Sequence, residues 1–223
     1  MRHLIACVVF AAVGIAHAEQ PAKTWRFLVE GEYHGDEAPA KPGSGWLALT
    51  FNEGRWQLVP TEVRATRVFD AVLDAEGEKT GIRISSRHQA IALLRVPGVR
   101  AGKVDTPNLR FNDNAASIVP GRPLNMVFGE NSYRLEASKS GVYLKKGAQR
   151  TRLPELAVSH GGNAEEADAA TLQWAGDLDG DGALDLIVGY SGYNRSGACL
   201  FLSSTAASGQ LVGLVACHGG VGC

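Results

Sequence analysis

Aromatic residues are scarce, at 7% of 223 positions, and methionine occurs only twice. No charge of one sign prevails, because 22 Lys and Arg face 23 Asp and Glu. The chain therefore lacks the broad basic field that draws proteins onto phosphate backbones, and nucleic acid is not expected as a partner. HExxH and GxSxG patterns are both missing, which removes the commonest zinc-protease and serine-hydrolase signatures. What is present is globular: 45% of residues are hydrophobic, and 27 Gly and 9 Pro imply many turns. That balance excludes disordered, fibrous and polytopic membrane classes.

Only one apolar run is long, and it lies at the start. Arg2 supplies a short positive region, residues 4–16 are apolar, and Ala16-His17-Ala18 puts small residues at the two positions a signal peptidase reads. A signal peptide over residues 1–18 is expected, with Glu19 as the mature N-terminus. A membrane anchor is the competing reading, but a helix of that length spans about 20 Å, short of the roughly 30 Å hydrocarbon core. Leu4-Ile5-Ala6-Cys7 resembles a lipobox, a third reading, although only six residues would precede the lipidated cysteine. The expected destination is a bacterial periplasm or the medium. With Arg2 removed, the 22 basic residues fall to 21 against 23 acidic ones, a formal charge of −2. No second segment approaches membrane-spanning length, so no integral membrane segment is expected after cleavage.

Cysteine is rare, and after cleavage Cys199, Cys217 and Cys223 remain, all within the last twenty-five residues. In an oxidising compartment this implies one disulfide and one thiol. The glycine-rich stretch between Cys217 and Cys223 can turn back, so that pair is expected to bond and leave Cys199 free. The alternative links Cys199 to either partner, since residues 198–202 and 211–217 read as neighbouring strands of a hairpin.

Helical periodicity is scarce and strand patterns are frequent. Residues 25–32, 46–51, 55–59, 62–72, 81–85 and 90–96 carry aromatic, branched or alternating patterns, with Asn52-Glu53-Gly54 as a turn. Residues 125–128, 133–137, 142–145 and 150–153 continue the series. The best short helix candidate, residues 164–170, lacks an apolar face and reads equally well as a polar loop. The expected fold is mainly β: a meander, sandwich-like or barrel-like body over residues 19–155, and a C-terminal segment over residues 171–223 packed on it. A proline- and glycine-containing seam, residues 154–170, separates the two.

Candidate catalytic chemistry is weak. His34, His88, His160 and His218 are scattered without close ligand spacing. His160, beside Ser159 and ahead of Glu165, Glu166 and Asp168, reads as a polar loop, because nothing brings a base to a nucleophile. His88 among Ser85, Ser86 and Arg87 reads as a solvated turn. No catalytic residue is assigned.

One pattern is specific. Asp177-Leu178-Asp179-Gly180-Asp181-Gly182-Ala183-Leu184-Asp185 puts carboxylates at positions 1, 3, 5 and 9 and glycine at 6. Four acids in nine residues repel one another unless a cation sits among them, and oxygen-only donors select a hard ion, best Ca2+. In an EF-hand the closing Glu comes at position 12, whereas here that position is Val188 inside an apolar strand pattern. The segment WAGDLDGDGALDLIVG, residues 174–189, resembles the calcium-binding β-hairpin loops of FG-GAP and VCBS-type repeats. The resemblance implies Asp177, Asp179, Asp181, the carbonyl of Ala183 and Asp185 as metal ligands. Such repeats recur in propeller blades, but no second DxDxDG occurs, so a full propeller is not expected. These readings point to an exported, non-enzymatic β protein with structural calcium, a binding or envelope-associated module for a protein or glycan. The alternative is a secreted or periplasmic hydrolase whose active site no motif reveals.

Overall fold

The computed structural model describes residues 24–107, 116–157 and 168–221. Among these residues, strands assemble into four antiparallel sheets, none closed into a barrel or propeller, and no α-helix occurs. Among the described residues, no helix is long and apolar enough to cross a membrane.

The first sheet grows from a hairpin. β3 (Trp46–Asn52) and β4 (Arg55–Thr61) pair through a two-residue turn, Glu53 and Gly54, both at positive φ (50° and 76°). That is the turn whose twist matches the twist of its flanking strands. β1 (Phe27–Leu28), β7 (Ala92–Leu94) and β8 (Gly102–Lys103) complete it in the order β1-β7-β3-β4-β8. After β4 the chain turns at Glu62 into β5 (Val63–Val68), which joins β6 (Gly81–Ser86) and β2 (Gly31–Tyr33) in a second sheet. The third sheet is a meander of β10 (Leu124–Phe128), β11 (Asn131–Ser138), β12 (Gly141–Lys146) and β13 (Gln149–Leu153). The fourth contains β9 (Ala116–Ser117), β14 (Ala169–Gly176), β15 (Asp185–Gly192), β16 (Arg195–Leu202) and β17 (Gly213–Val221), in the order β17-β16-β15-β14-β9.

Side-chain alternation stacks these sheets. On β15, Leu186 and Val188 enter one core with Tyr133, Leu135, Val142 and Leu144 of the meander, while Ile187 enters another with Phe27, Leu49, Ala92 and Leu94 of the first sheet. β16 divides likewise, with Cys199 and Phe201 on the meander side and Ala198, Leu200 and Leu202 opposite. Beyond the first sheet, Trp46, Ala48 and Leu93 meet Val63, Ile82 and Ile84 of the second. The result is four layers, each apolar contact surface supplied by every second residue of a strand. Strands buried on both faces lose the apolar–polar alternation and read as continuous hydrophobic runs, as residues 186–188 do. Residues 169–221 thus supply a middle layer of the stack, packed on the meander by one face and on the first sheet by the other. Residues 169 and 170, the end of the short helix candidate, open β14. Its residues 164–167 lie outside the described residues.

One cysteine expectation is corrected. Cys199 of β16 lies opposite Cys217 of β17, with Cα atoms 4.0 Å apart, and the two are bonded. The expected Cys217–Cys223 bond fails because residues 218–221 do not turn back. They run on as strand, with His218, Gly219, Gly220 and Val221 paired to Ala198, Gly197, Ser196 and Arg195. Cys223 lies outside the described residues.

A cluster of polar side chains ties the end of β17 to the N-terminal half. Glu37 accepts the backbone N–H of Val221 through Oε1 (2.7 Å) and that of His34 through Oε2 (2.9 Å), and the His34 ring bonds Asp70 through Nδ1. The hydrogen bond to Asp70 holds the His34 ring above its ordinary pKa, and the same bond holds Asp70 below the usual carboxylate value. A raised imidazole stabilises below its unfolded value of about 6.5 and loses that contribution as pH climbs through the folded value. A depressed carboxylate stabilises above its unfolded value of about 3.9 and loses this as pH falls through the folded one. The pair should therefore contribute most between about pH 4 and 6.5. Chemical denaturation across pH 4–9 should show wild-type stability declining on the alkaline side more than His34→Gln does; parallel profiles would remove the pair from the stability account.

Candidate metal centre

The acidic loop joins β14 to β15, and a bulge prepares its approach. The register between β14 and β15 slips between Leu172 and Trp174, so Trp174 swings to the first-sheet side, where it meets Trp56 edge-on at 6.4 Å. A bulge re-aims the side chains that follow it. Two residues later the backbone of Gly176 passes under that ring. A Cβ there would lie 2.4 Å from the Asp105 carbonyl oxygen and 2.6 Å from the Trp174 ring, so only glycine fits. The Asp177 N–H then donates to that same Asp105 carbonyl (2.9 Å).

Within the loop, Gly180 and Gly182 take φ of 79° and 82°, the left-handed region that glycine enters without a Cβ clash. They let the chain curl around Asp177. Its Oδ1 accepts the N–H groups of Gly180 (2.7 Å) and Asp181 (3.2 Å), and its Oδ2 accepts that of Gly182 (2.8 Å). Leu178 and Leu184 anchor the two ends of the loop in opposite cores, Leu178 toward the first sheet and Leu184 toward the meander.

Asp185 is fully buried. Its Oδ2 accepts the Leu178 N–H (2.7 Å), and its Oδ1 accepts the N–H (2.8 Å) and hydroxyl (2.9 Å) of Ser203. Burial pushes this carboxyl up to about 7, the hydrogen bonds from Ser203 and Leu178 oppose that rise, and the neighbouring Asp179 charge adds to it. Asp179 accepts the Ser204 hydroxyl through Oδ2, while its Oδ1 is buried without a hydrogen-bond partner among the described residues.

One carboxylate oxygen each from Asp177, Asp179 and Asp185 lie within 4.8 Å of one another. Two oxygens bound to the same calcium at about 2.4 Å cannot be farther apart than about 4.8 Å, so these three can share one ion. No ion pair with Lys, Arg or His neutralises the loop acids among the described residues. A hard cation suits what remains: oxygen donors only, an orphaned buried oxygen, and carboxylates without a cationic side chain.

The fourth acid is placed differently. Asp181 stands outside the three-carboxylate cluster, with its Oδ1 accepting the Ala183 N–H (2.8 Å) and its Oδ2 the Ser203 hydroxyl (2.8 Å). Ser203 and Ser204 belong to a short 3-10 turn, Ser203–Thr205, that closes β16. These two serines grip three of the four loop acids and were not foreseen from the sequence. Their signal, hydroxyls immediately after an apolar strand, is common, and eighteen positions separate Ser203 from Asp185.

The histidines give no catalytic constellation among the described residues. His88 sits in a bend where the Ser86 hydroxyl bonds its backbone (2.7 Å to the carbonyl oxygen). His218 is buried, and its Nδ1 accepts the Val29 N–H (2.9 Å), which puts the ring proton on Nε2. Ser159, His160, Glu165 and Glu166 lie outside the described residues. A groove of about 630 Å³ runs between residues 29–33 and the β14–β17 sheet, and His88 does not line it. No family model, no curated protein and no solved structure matches this chain.

Proposed function

We propose that the chain is an exported β protein whose acidic loop binds calcium, and that the ion serves to lock the β14–β15 hairpin rather than to react. The observation that carries this reading is the convergence of Asp177, Asp179 and Asp185, with Asp179 Oδ1 left without a donor. The likeness of residues 174–189 to FG-GAP and VCBS-type loops supports the same assignment. The Cys199–Cys217 bond favours an oxidising compartment, in keeping with the signal-like N-terminus. When bound, the ion supplies the positive charge that three crowded carboxylates lack. The chain's own part is to hold those carboxylates in place: Asp177 through three loop N–H groups, Asp179 through Ser204, and Asp185 through Leu178 and Ser203.

Binding that favours the folded state stabilises it by RT ln(1 + [Ca2+]/Kd), about 1.4 kcal/mol at ten times Kd. For a chain of this size that corresponds to a melting-temperature rise of about 3–6 °C. Calorimetry on chelator-treated protein should register calcium uptake in the micromolar to millimolar range. Magnesium should raise the melting temperature less, because it demands a tighter octahedral shell. Asp179→Ala should abolish uptake while leaving the apo melting temperature close to wild type. No uptake at millimolar calcium, or undiminished uptake by Asp179→Ala, would refute the assignment.

A further inference from the structure

We propose that the outward face of the β10–β13 meander is a binding strip for an acidic glycan. Charge is segregated along this chain: residues 122–153 hold seven Lys and Arg and only two acids, Glu130 and Glu136, although the whole chain has slightly more acids than bases. The meander sorts these residues by face. Tyr133, Leu135, Val142, Leu144 and Leu153 point into the core, which leaves Arg134, Glu136, Lys145, Arg150 and Arg152 on the other side.

Strand register then sets three cations in one line. Asn125 is opposite Arg134, Arg134 opposite Lys145, and Lys145 opposite Arg150. Neighbouring strands lie about 4.8 Å apart, so three positive charges follow one another across the sheet at close intervals. Like charges directly opposite each other destabilise a sheet. The single carboxylate among them, Glu136, is shared by all three, at 3.3 Å from Arg134, 3.7 Å from Lys145 and 3.6 Å from Arg150. Arg152, in the adjacent row, has no ion pair among the described residues. The core does not need these cations, and one acid cannot neutralise them. Local rules broken without a structural return mark functional surfaces.

The shape of the face selects the ligand. Arg134, Lys145 and Arg150 remain 35–52% exposed, and a shallow hollow of about 450 Å³ is lined by the first two together with Asn125, Val127, Ser132 and Gly147. Among the outward residues of this face only Val127 is an exposed apolar side chain, too little to enter a lipid layer. Tyr143, the aromatic ring of this face, is buried beneath the Arg150 guanidinium, 3.4 Å from its centroid, so no ring is free to stack on a base. What remains is a flat row of cations flanked by the amide of Asn125 and the hydroxyl of Ser132, suited to carboxylates and hydroxyls that repeat along an extended uronate chain. The strip lies on strands other than the acidic loop and does not depend on calcium.

The full mature chain, kept in chelator so that the acidic loop is not engaged, should be titrated with a polygalacturonate oligomer. The comparison probes are a neutral galactan oligomer of equal length, vesicles of phosphatidylglycerol in phosphatidylcholine, and oligo-dT. Polygalacturonate alone should bind, and its affinity should fall about tenfold or more between about 50 and 300 mM salt as counterions compete. Arg134→Gln and Lys145→Gln should each weaken binding severalfold and together about tenfold, without lowering the melting temperature, because each removes a repulsive neighbour. Arg83→Gln, an exposed cation on β6, should bind as wild type. Absence of binding, equal binding by the neutral oligomer or the strip variants, or tighter binding to vesicles or oligo-dT would overturn the proposal.

Discussion

Replacing Asp185 by alanine is expected to lower stability by about 2–4 kcal/mol, the cost of the backbone hydrogen bonds that lose their acceptor. The side chain is fully buried and accepts three hydrogen bonds, from the Leu178 N–H and from the N–H and hydroxyl of Ser203. Its loss leaves the buried Leu178 N–H and the half-buried Ser203 N–H without that acceptor, at about 1–3 kcal/mol each, while the Ser203 hydroxyl keeps Asp181 Oδ2. Asp181→Ala gives the contrast. Its bonds to Ala183 and Ser203 are solvent-exposed, so about 1 kcal/mol or less is expected. Urea denaturation in chelator measures both without a contribution from the metal. A loss below about 1 kcal/mol for Asp185→Ala would mean that the serine turn and the loop hold together without it.

Reducing the Cys199–Cys217 bond is the second large effect. The bond closes a loop of 18 residues, and the chain-entropy relation gives about 3 kcal/mol for that length. At about 2–4 °C per kcal/mol the melting temperature should drop by about 6–12 °C. Cys217→Ser is the cleaner variant, since Cys199 is wholly buried in the core shared with the meander and its removal adds a packing defect. Peptide mapping without reductant should recover Cys199 joined to Cys217. A fragment joining Cys217 to Cys223 would overturn that pairing, as would a reduced protein that melts where the oxidised one does.

Strand positions were legible in the sequence wherever side chains alternate or a turn is marked. Asn52-Glu53-Gly54 announces the β3–β4 hairpin, and the turn residues Ser138-Lys139-Ser140-Gly141 and Lys146-Gly147 announce the meander. Residues 62–72 ran too far, because β5 ends at Val68 and Asp70 takes the chain into a turn by accepting the Val72 and Leu73 N–H groups (3.0 and 3.3 Å). β14 went unseen, since Ala169 and Ala170 carry weak strand signals and the bulge at Gln173 breaks the period of two. The layering was also illegible: a run such as Leu186 to Val188 announces burial but not which sheet covers each face. At the loop, spacing was enough to name the acids. It could not say that Asp181 would turn to Ser203 and away from the other three, because that depends on a turn brought in by a different hairpin.

The order in which the layers are encoded has a kinetic consequence. The first sheet and the meander each present an apolar face to the β14–β17 sheet, and that sheet comes almost entirely from residues 169–221. Neither partner can bury its face until residues 169–221 have arrived. Loop-closure entropy must be met before those non-local contacts form, so assembly should be late, slow and all at once rather than half by half. Until then the nascent chain carries two unpaired apolar surfaces, and a chain stopped short of β15 would keep them, as substrates for chaperones and proteases rather than as a smaller folded protein.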